Sequence, residues 1–596
     1  MSLNTLNDIF FAVVERQQDS VMMYRQDGQW VSISSQEFFR RVIGLARALE
    51  SWGISKGHRI AILSENRPEW ALTDFACLLL GAVTVPIYST LTGEQSAEIL
   101  RDSGARIIAV STEQQLQKLL SIRDRTAVEK ILVMDDLNTE GAIPIHKLMK
   151  AGPVERDPKF ETRARSVKPE DLATIIYTSG TTGTPKGVML THGNIASNIS
   201  YSLQGFDLRP GEISISFLPL SHVTARHADL ALLYHGVILA YCPFIEQLSQ
   251  ALLEVKPTVF LGVPRVYEKI YAQVEHKAKR FPTRALYRWA LHVGRAHKSE
   301  TVAGKTPHSL SWKLAARLVF SQVRAGLGGR VRIFISGGAP LGRELAEWFA
   351  TIGIRIHEGY GLTETSPVIA VNTPLAHKLG TVGEILPNIE VRIADDGEIL
   401  VRGPSVFQGY WNRPEETTGA FVDGWFKTGD IGTIDRDGFL SITDRKKDLI
   451  KTSGGKFIAP QPIENSLKHN PLVGTPVIIG DKRKFPALII SPSFPALEQW
   501  ARAHGIAFSS SQDLIRNKKV QELYDGIVAE VNQNLARFEK LKKVLLVPDE
   551  FSAESGDLTP TMKLRRRMVE ERYHDLIEEM YKEAENTPSP EAVDRS

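Results

Sequence analysis

The segment Tyr177-Thr-Ser-Gly-Thr-Thr-Gly-Thr-Pro-Lys-Gly-Val188 directly follows an apolar run, residues 173–176. It combines three glycines and five Ser/Thr hydroxyls with a single lysine, Lys186. Glycine allows the backbone to approach a ligand closely, consecutive backbone N–H groups form an anion site, and lysine adds a charge that suits phosphate. The spacing is not that of a Walker A loop, because Pro185 stands where the second glycine is required and Gly187 follows the lysine. We therefore predict a nucleotide-phosphate loop of another kind, in preference to an ordinary Ser/Thr/Gly-rich surface loop.

The composition is typical of a soluble globular protein. Hydrophobic residues make up 42% of the 596 residues and charged residues 24%, and this length suggests about two to four domains. The net charge of +3 gives no signal for a nucleic-acid partner. Cys77 and Cys242 lie in apolar runs without a disulfide or metal-binding pattern, which fits a reducing cytoplasm. The amino terminus lacks a signal-peptide pattern, and the longest clean apolar run, residues 75–88, is too short to cross a bilayer.

Strand-like and helix-like segments alternate through the first two thirds of the chain. Residues 59–63, 83–87 and 107–110 are strand candidates, separated by helical periodicity, and the pattern recurs as far as residues 331–336. Such alternation predicts parallel sheets. From about Gly383 short strands with Gly and Asp turns predict a β-rich subdomain.

The carboxyl-terminal part begins, by this interpretation, at Arg445. A hairpin is predicted around Ser453-Gly-Gly455, followed by long polar helices near residues 517–539 and 563–584. The predicted domains are therefore residues 1–444 and 445–584. The polar residues 585–596 are expected to form a disordered tail.

Residues 265–330 form a basic helical insertion. They hold fourteen Lys/Arg against three Asp/Glu, interleaved with aromatic residues. An ordinary helical insertion with a solvated basic face explains this pattern. The alternative is peripheral contact with a membrane, in which basic residues attract anionic lipid and aromatic rings lie at the headgroup level.

Two further motifs follow predicted parallel strands, where open α/β sheets bind their ligands. Gly337 and Gly338 follow one strand, and Tyr360 follows the next among small glycines that leave room for a flat base to stack. Glu364 offers an oxygen ligand for Mg²⁺. Farther on, Asp430 could accept hydrogen bonds from both hydroxyls of a ribose.

Seven segments in this order resemble those of the adenylate-forming, or AMP-binding, superfamily, which includes acyl-CoA synthetases, luciferases and peptide-synthetase adenylation domains. The resemblance covers the chain from about residue 34 to residue 567, and a chance match of all seven segments in order is not credible. The segments are the glycine loop, Pro219-Leu-Ser-His222, Ser336-Gly-Gly-Ala-Pro340, Gly359-Tyr-Gly-Leu-Thr-Glu364, Thr428-Gly-Asp430, Asp444-Arg-Lys-Lys447 and Leu558-Thr-Pro-Thr-Met-Lys563.

The resemblance implies an enzyme that joins a carboxylate to AMP and then passes the acyl group to a thiol, using ATP, Mg²⁺ and coenzyme A. It also implies an α/β fold: a large N-terminal domain of layered sheets with a β-rich subdomain, and a smaller, mobile α+β C-terminal domain. Thr178 and Glu364 would hold Mg²⁺, and Asp430 and Arg445 would hold the ribose. The phosphates would be bound by Thr178, Ser179, Gly180, Thr181, Thr182, Gly183 and Lys186, and adenine by Gly338, Ala339, Pro340 and Tyr360. Gly361 and Thr363 would be further cofactor-binding residues.

The same resemblance assigns the catalytic and acyl-transfer residues. Lys563 would reach the α-phosphate and the substrate carboxylate, and Lys447 would be the hinge of a domain rotation between the two half-reactions. Ser453 and Gly454 would face the pantetheine of coenzyme A. His222 would lie at the junction of acyl group and thiol, although a histidine at the edge of the core is the simpler interpretation of that residue alone.

The details are most similar to the long-chain fatty-acid–CoA ligases, which would make a fatty acid and coenzyme A the substrates. One departure is the segment Val223-Thr-Ala-Arg226, where many relatives carry an acidic residue. Two alternatives stay open: a fatty-acyl-AMP ligase that loads a carrier protein, and a non-catalytic protein that binds lipid or nucleotide. The predicted location is the cytoplasm, with peripheral contact at the inner face of a membrane as the alternative that the basic insertion suggests.

Overall fold

The strands and helices of the chain follow the alternation that its sequence predicts. A computed structural model describes residues 3–137, 139–179, 185–278, 283–453, 456–552, 555–559 and 564–586. The predicted strands at residues 59–63, 83–87 and 107–110 are all present. The tail predicted to be disordered lies almost wholly outside the described residues.

The described chain contains two compact units. The first comprises Met1–Ala394, Ile399–Thr428 and Ile434–Ser441, and the second comprises Asp395–Glu398, Gly429–Thr433 and Ile442–Ser596. The main division therefore falls after Ser441, a few residues before Arg445. The short segment that carries Asp430 groups with the second unit.

The strands are mostly short, and most of those before β15 are separated by helices, the exceptions being the pairs β1–β2, β6–β7 and β8–β9. Their bounds are β1 (Met22–Gln26), β2 (Gln29–Ile33), β3 (Arg59–Leu63), β4 (Val83–Ile87), β5 (Ile107–Val110), β6 (Lys130–Val133), β7 (Ala142–Pro144), β8 (Leu172–Ser179), β9 (Pro185–Thr191), β10 (Ile213–Ser216), β11 (Ile238–Tyr241), β12 (Val259–Gly262), β13 (Ile333–Ser336), β14 (Ile356–Gly361), β15 (Val368–Val371), β16 (Gly383–Ile385), β17 (Glu390–Ile393), β18 (Glu398–Arg402), β19 (Gly409–Tyr410), β20 (Phe421–Val422), β21 (Trp425–Ile434), β22 (Phe439–Arg445), β23 (Ile450–Lys451), β24 (Phe457–Ile458), β25 (Val473–Ile479), β26 (Ala487–Pro492) and β27 (Val544–Leu546).

Many of the helices begin at Ser, Thr, Asp or Asn caps whose side chains accept hydrogen bonds from the first turn, as Ser34 does from the backbone N–H of Glu37. Their bounds are α1 (Leu6–Glu15), α2 (Ser35–Ser51), α3 (Pro68–Leu79), α4 (Gly93–Ser103), α5 (Glu113–Leu120), α6 (Ile145–Lys150), α7 (Pro158–Arg165), α8 (His192–Ser202), α9 (Val223–Tyr234), α10 (Leu248–Val255), α11 (Pro264–Ala278), α12 (Thr283–Val302), α13 (Leu310–Ala315), α14 (Ser321–Gly326), α15 (Arg343–Thr351), α16 (Pro414–Gly419), α17 (Pro460–Lys468), α18 (Phe494–Ala503), α19 (Ser511–Arg516), α20 (Lys518–Asn532), α21 (Arg566–Arg572) and α22 (His574–Asn586).

Two sheets organise the first unit. One has the strand order β19-β9-β8-β4-β3-β5-β6-β7, in which β4, β3, β5, β6 and β7 are parallel and β8 and β9 form an antiparallel pair. The other contains the run β16-β15-β14-β13-β12-β10-β11-β1-β2, parallel from β14 to β1. The carboxyl ends of β13 and β14 therefore meet at one edge, as the motifs after them require.

The aromatic residues of the basic insertion belong to the hydrophobic core. Tyr267, Tyr287, Trp312 and Phe320 are all buried, and they pack in one cluster with residues of the parallel strands. The expectation that these four side chains lie at the level of lipid headgroups is therefore wrong, because their rings fill the space between the inserted helices and the sheet. A membrane contact of the insertion stays a prediction that depends on other residues.

The second unit is a small α+β assembly. Strands β25, β26 and β27 form a sheet, antiparallel between β25 and β26 and parallel between β26 and β27. The predicted hairpin before them is confirmed: Ile450 of β23 pairs with Ile458 of β24. In the described parts of both units, none of the helices has the length and apolar character of a membrane span.

Candidate active site

The glycine-rich segment connects two strands of the first unit. Strand β8 ends at Ser179, β9 begins at Pro185, and the pairing register sets Thr178 opposite Lys186. Gly180, Thr181, Thr182 and Gly183 lie outside the described residues. The two ends of the segment thus bring Thr178 and Lys186 together.

Tyr410 links Lys186 to Glu364. The ammonium of Lys186 lies 5.4 Å from the centroid of the Tyr410 ring, within the range of a cation–π contact. The Tyr410 hydroxyl donates a 2.9 Å hydrogen bond to Oε1 of Glu364. Burial, together with the Glu364 carboxylate, raises the pKa of Tyr410 well above its usual value, so that the hydroxyl stays a donor. A lysine and a carboxylate far apart in sequence are therefore held beside one phenol.

Sequence reasoning missed Tyr410. Its place follows from β19, a two-residue strand that pairs antiparallel with β9 and sets Tyr410 opposite Val188. A strand this short has no periodicity to detect. The aromatic cluster Phe407, Tyr410, Trp411 is the only signal that the sequence offers.

The glycines that follow β13 lie beside the glycines in the last residues of β14. The strands are parallel, with Ile335 opposite His357 and Ser336 opposite Glu358. Gly338 has a φ of +81°, which favours glycine. A Cβ on Gly361 would lie 1.7 Å from the carbonyl oxygen of Pro367, so that only glycine fits there. Beside them Tyr360 is half-buried, Thr363 is buried, and Ala339 and Pro340 are exposed.

A cavity of about 730 Å³, its open mouth included, begins at these glycines. The polar groups in its wall include His227, whose Nε2 is 3.3 Å from Oγ of Ser202, and burial lowers the pKa of His227 to about 3, so that the ring is neutral at pH 7. The apolar part of the wall includes Leu203, Ala228, Leu232, Val259, Leu261 and Val371.

His222 stands at the beginning of α9, where its Nδ1 accepts a 3.1 Å hydrogen bond from the backbone N–H of Thr224. The buried side chain of Asn66 holds the segment before it. This amide accepts from the backbone N–H of Leu220 at 3.1 Å and donates to the carbonyl of Leu218 at 2.7 Å. Sequence reasoning did not single out Asn66, whose role depends on a contact across about 150 residues of chain.

The departure at Arg226 has a structural explanation. The guanidinium is buried and forms a two-bond pair with Asp74: Nε to Oδ2 at 2.8 Å and Nη2 to Oδ1 at 2.6 Å. Thr84 donates a third hydrogen bond to Asp74, at 2.8 Å. Arg226 therefore joins α9 to α3 inside the core, and its side chain is not part of the cavity wall.

In the second unit, Asp430 and Arg445 form an ion pair, with Nε of Arg445 3.3 Å from Oδ1 of the buried Asp430. The buried Asp444 accepts the backbone N–H of Arg445 at 2.6 Å, and burial raises the pKa of Asp444 to about 6. The carboxylate and guanidinium predicted to hold the ribose are therefore adjacent.

The other predicted residues of the second unit are only partly within the described chain. Lys447 is exposed. The backbone N–H of Ser453 donates to the carbonyl of Arg483 at 2.8 Å. Gly454 and Lys563 lie outside the described residues.

The donor set around Glu364 fits a cation that is held largely by its substrate. Among the described residues there is no group of three or more His, Cys, Asp or Glu that could hold a metal. Mg²⁺ beside ATP is usually bound by one or two carboxylates together with phosphate oxygens and water. One carboxylate and a threonine hydroxyl suit that arrangement.

Two family models match the sequence of this chain. The family model of AMP-binding enzymes matches residues 10–411, and the model of the AMP-binding enzyme C-terminal domain matches residues 447–585. The chain therefore belongs to the AMP-binding enzyme family, as its motifs indicate.

Two curated relatives are both named long-chain-fatty-acid–CoA ligases. The long-chain-fatty-acid–CoA ligase FadD15 of Mycobacterium tuberculosis is 37% identical over 575 residues, covering 95% of each chain. The human long-chain-fatty-acid–CoA ligase ACSBG1 is 31% identical, covering 97% of this chain and 85% of the relative.

Solved structures share the fold at lower identity. The adenylation domain of a carboxylate reductase from Mycobacterium chelonae has a TM-score of 0.77 at 22% identity, covering 97% of this chain and 91% of that one. The anthranilate–CoA ligase AuaEII, solved with anthranoyl-AMP, has a TM-score of 0.75 at 20% identity, covering 97% and 99%. The predicted α/β fold class, with a large N-terminal and a smaller C-terminal domain, is confirmed.

We expect Tyr410→Phe to lower kcat/KM for ATP about tenfold, because it removes a hydrogen bond to a charged carboxylate and keeps the ring beside Lys186. Tyr410→Ala should lower it further, since the cation–π contact is lost as well. The measurement is pyrophosphate release at varied ATP and Mg²⁺. Tyr201→Phe, on an exposed tyrosine of the same unit, is the matched control. An unchanged ATP and Mg²⁺ dependence in Tyr410→Phe would contradict this role.

Proposed function

We propose that this protein is a long-chain fatty-acid–CoA ligase. It activates a fatty acid with ATP to acyl-AMP, releasing pyrophosphate, and then transfers the acyl group to coenzyme A, giving acyl-CoA and AMP. The observation that carries the proposal is the cavity, whose largely apolar wall also includes Gly338, Tyr360 and Gly361 of the predicted nucleotide-binding motifs. The names of the relatives support the same substrate class.

In this proposal the first unit binds the nucleotide from two sides. Lys186 and the glycine loop hold the β- and γ-phosphates that leave as pyrophosphate, and Tyr360 with Gly338 and its neighbours encloses adenine. Thr178 and Glu364 hold Mg²⁺, and Tyr410 fixes the Glu364 carboxylate by its hydrogen bond. When bound, Mg²⁺ neutralises the charge of the phosphates.

The second unit supplies the remaining groups. Asp430 accepts from the ribose hydroxyls, and the ion pair with Arg445 holds that carboxylate in position. Lys563 faces the α-phosphate and the attacking carboxylate. A rotation about Lys447 then exchanges Lys563 for the hairpin that carries Ser453 and Gly454, so that the thiol can reach the acyl carbonyl near His222.

The test is a product assay with ATP, hexadecanoate and coenzyme A. Acyl-CoA and AMP in equal amounts are the expected products. Acyl-AMP that accumulates and is consumed only by an acyl carrier protein would favour the carrier-loading alternative. Binding of nucleotide or lipid with no pyrophosphate release would favour the non-catalytic alternative.

Filling the cavity should shift the chain-length preference. Ala228 is a small residue of the apolar wall, on α9. We expect Ala228→Phe to lower kcat/KM for hexadecanoate at least about tenfold, because a phenyl group takes space that the distal methylenes need. Octanoate is the internal control, and the kcat/KM for octanoate should fall less. Equal losses for both acids would contradict the assignment of this cavity to the acyl chain.

A further inference from the structure

Three leucines form an exposed ridge on the basic insertion. Leu310, Leu314 and Leu318, spaced four residues apart, have relative exposures of 85%, 49% and 39%. They lie on α13 and the π-helical turn Ala316–Phe320 that continues it. We call these three residues the leucine ridge.

The opposite face of the same helix fixes the direction of the ridge. Trp312, Ala315 and Phe320 are buried in the core of the first unit, and the rings of Trp312 and Phe320 lie 5.4 Å apart. Side chains four residues apart share a face. Because the face that carries Trp312 and Phe320 packs into the core, the leucines on the other face point outward.

The sequence on either side of the ridge is basic and contains no acidic residue. Between Glu300 and Glu344 the chain has no Asp or Glu. Lys313 and Arg317, on the ridge helix itself, are exposed and form no ion pair with a described residue. By contrast, Arg332 and Arg343, farther along the same stretch, are paired with Glu212 and Glu347. Two cations without a described ion-pair partner thus lie beside the exposed leucines.

We propose that the leucine ridge docks on an anionic lipid bilayer. The leucine side chains enter the boundary between headgroups and acyl chains, while Lys313 and Arg317 contact the anionic headgroups. An acidic protein surface would match the charges but not the row of aliphatic side chains. The docking surface does not depend on ligase activity, although a membrane is also where a long-chain fatty acid partitions.

The experiment is co-sedimentation of the full chain with vesicles of phosphatidylcholine and phosphatidylglycerol in equal parts, compared with pure phosphatidylcholine. Wild-type protein should bind the anionic vesicles. Replacing all three ridge leucines by serine should weaken binding at least about tenfold. Lys313→Gln with Arg317→Gln should weaken it about 30-fold, from the ~1 kcal/mol that each basic side chain contributes near an anionic surface.

Two matched variants control for general effects. Leu375→Ser changes an equally exposed leucine of the same unit, and Lys159→Gln with Arg436→Gln removes two exposed charges elsewhere. Both should bind as wild type does. Activity on octanoate, a water-soluble acid, should be unchanged in every variant, which separates loss of docking from loss of fold or of ligase function.

Three results would overturn the proposal: wild-type protein that does not bind the anionic vesicles, ridge variants that bind as wild type does, or controls that lose binding equally. A dimer seen in sedimentation velocity, abolished by the serine variant while wild type ignores vesicles, would instead assign the ridge to a second copy of the chain.

Discussion

Replacing Lys563 by alanine is expected to lower the rate of acyl-adenylate formation by ~10²–10³, the loss typical when one group that stabilises transition-state charge is removed. Attack of a fatty-acid carboxylate on the α-phosphate brings two anions together. A lysine ammonium neutralises that charge as the new bond forms. The binding of ATP should change little, because the loop at Lys186 and the site around Tyr360 are intact.

The measurement is pyrophosphate release with ATP and hexadecanoate in a single turnover. The same variant, given preformed hexadecanoyl-AMP and coenzyme A, should produce acyl-CoA at the wild-type rate, since the proposed role of Lys563 is confined to adenylate formation. Lys519→Ala, on an exposed lysine of the second unit, is the control. Adenylate formation at the wild-type rate in Lys563→Ala would show that the role is assigned wrongly.

Removing Arg226 is expected to destabilise the first unit by about 3–5 kcal/mol, because Arg226→Ala leaves the Asp74 carboxylate buried without its partner. Among the described residues, Asp74 would keep only the hydrogen bond from Thr84. The equilibrium is measured by urea unfolding followed through tryptophan fluorescence. Trp70, whose ring centroid is 5.9 Å from the Arg226 guanidinium carbon, lies beside the change.

A double variant separates the buried charge from lost packing. Arg226→Met with Asp74→Asn removes both charges at similar volume, and it should recover most of the stability that Arg226→Ala loses. Arg40→Ala, which breaks a partly exposed pair with Glu37, is the surface control and should cost about 0–1 kcal/mol. If Arg226→Ala and Arg40→Ala have equal urea midpoints, the buried pair does not hold α9 to α3.

Much of the fold could be predicted because local residue patterns indicate its strands and helices. Strands at 59–63, 83–87 and 107–110, and the helix between the first two, follow from apolar periodicity. The aromatic residues of the insertion could not be placed in this way. Tyr267 and Phe320 occur in a basic, helical texture that suits either a surface or a core, and only the packing of α11 to α14 against the sheet buries them.

The residues of the candidate site likewise fall into two groups, those that sequence motifs predict and those that only tertiary contacts reveal. Lys186, Tyr360, Glu364 and Asp430 belong to motifs whose residue types and order by themselves indicate phosphate, base, cation and ribose. Tyr410 and Asn66 carry no such signal. Each acts through hydrogen bonds to residues that are distant in sequence, and local chemistry does not encode such contacts.

The sequence by itself determined the family, the α/β class and the use of a nucleotide, because a loop of glycines and hydroxyls that ends in a lysine suits phosphate, and seven motifs occur in one family's order. The tertiary structure decided which residues share a site and which way the others face. Pairing of β19 with β9 brought Tyr410 between Lys186 and Glu364, and burial of one helix face turned Leu310, Leu314 and Leu318 outward. The physical reason is that strand pairing and burial are long-range interactions, which depend on the whole folded chain and not on neighbours in sequence.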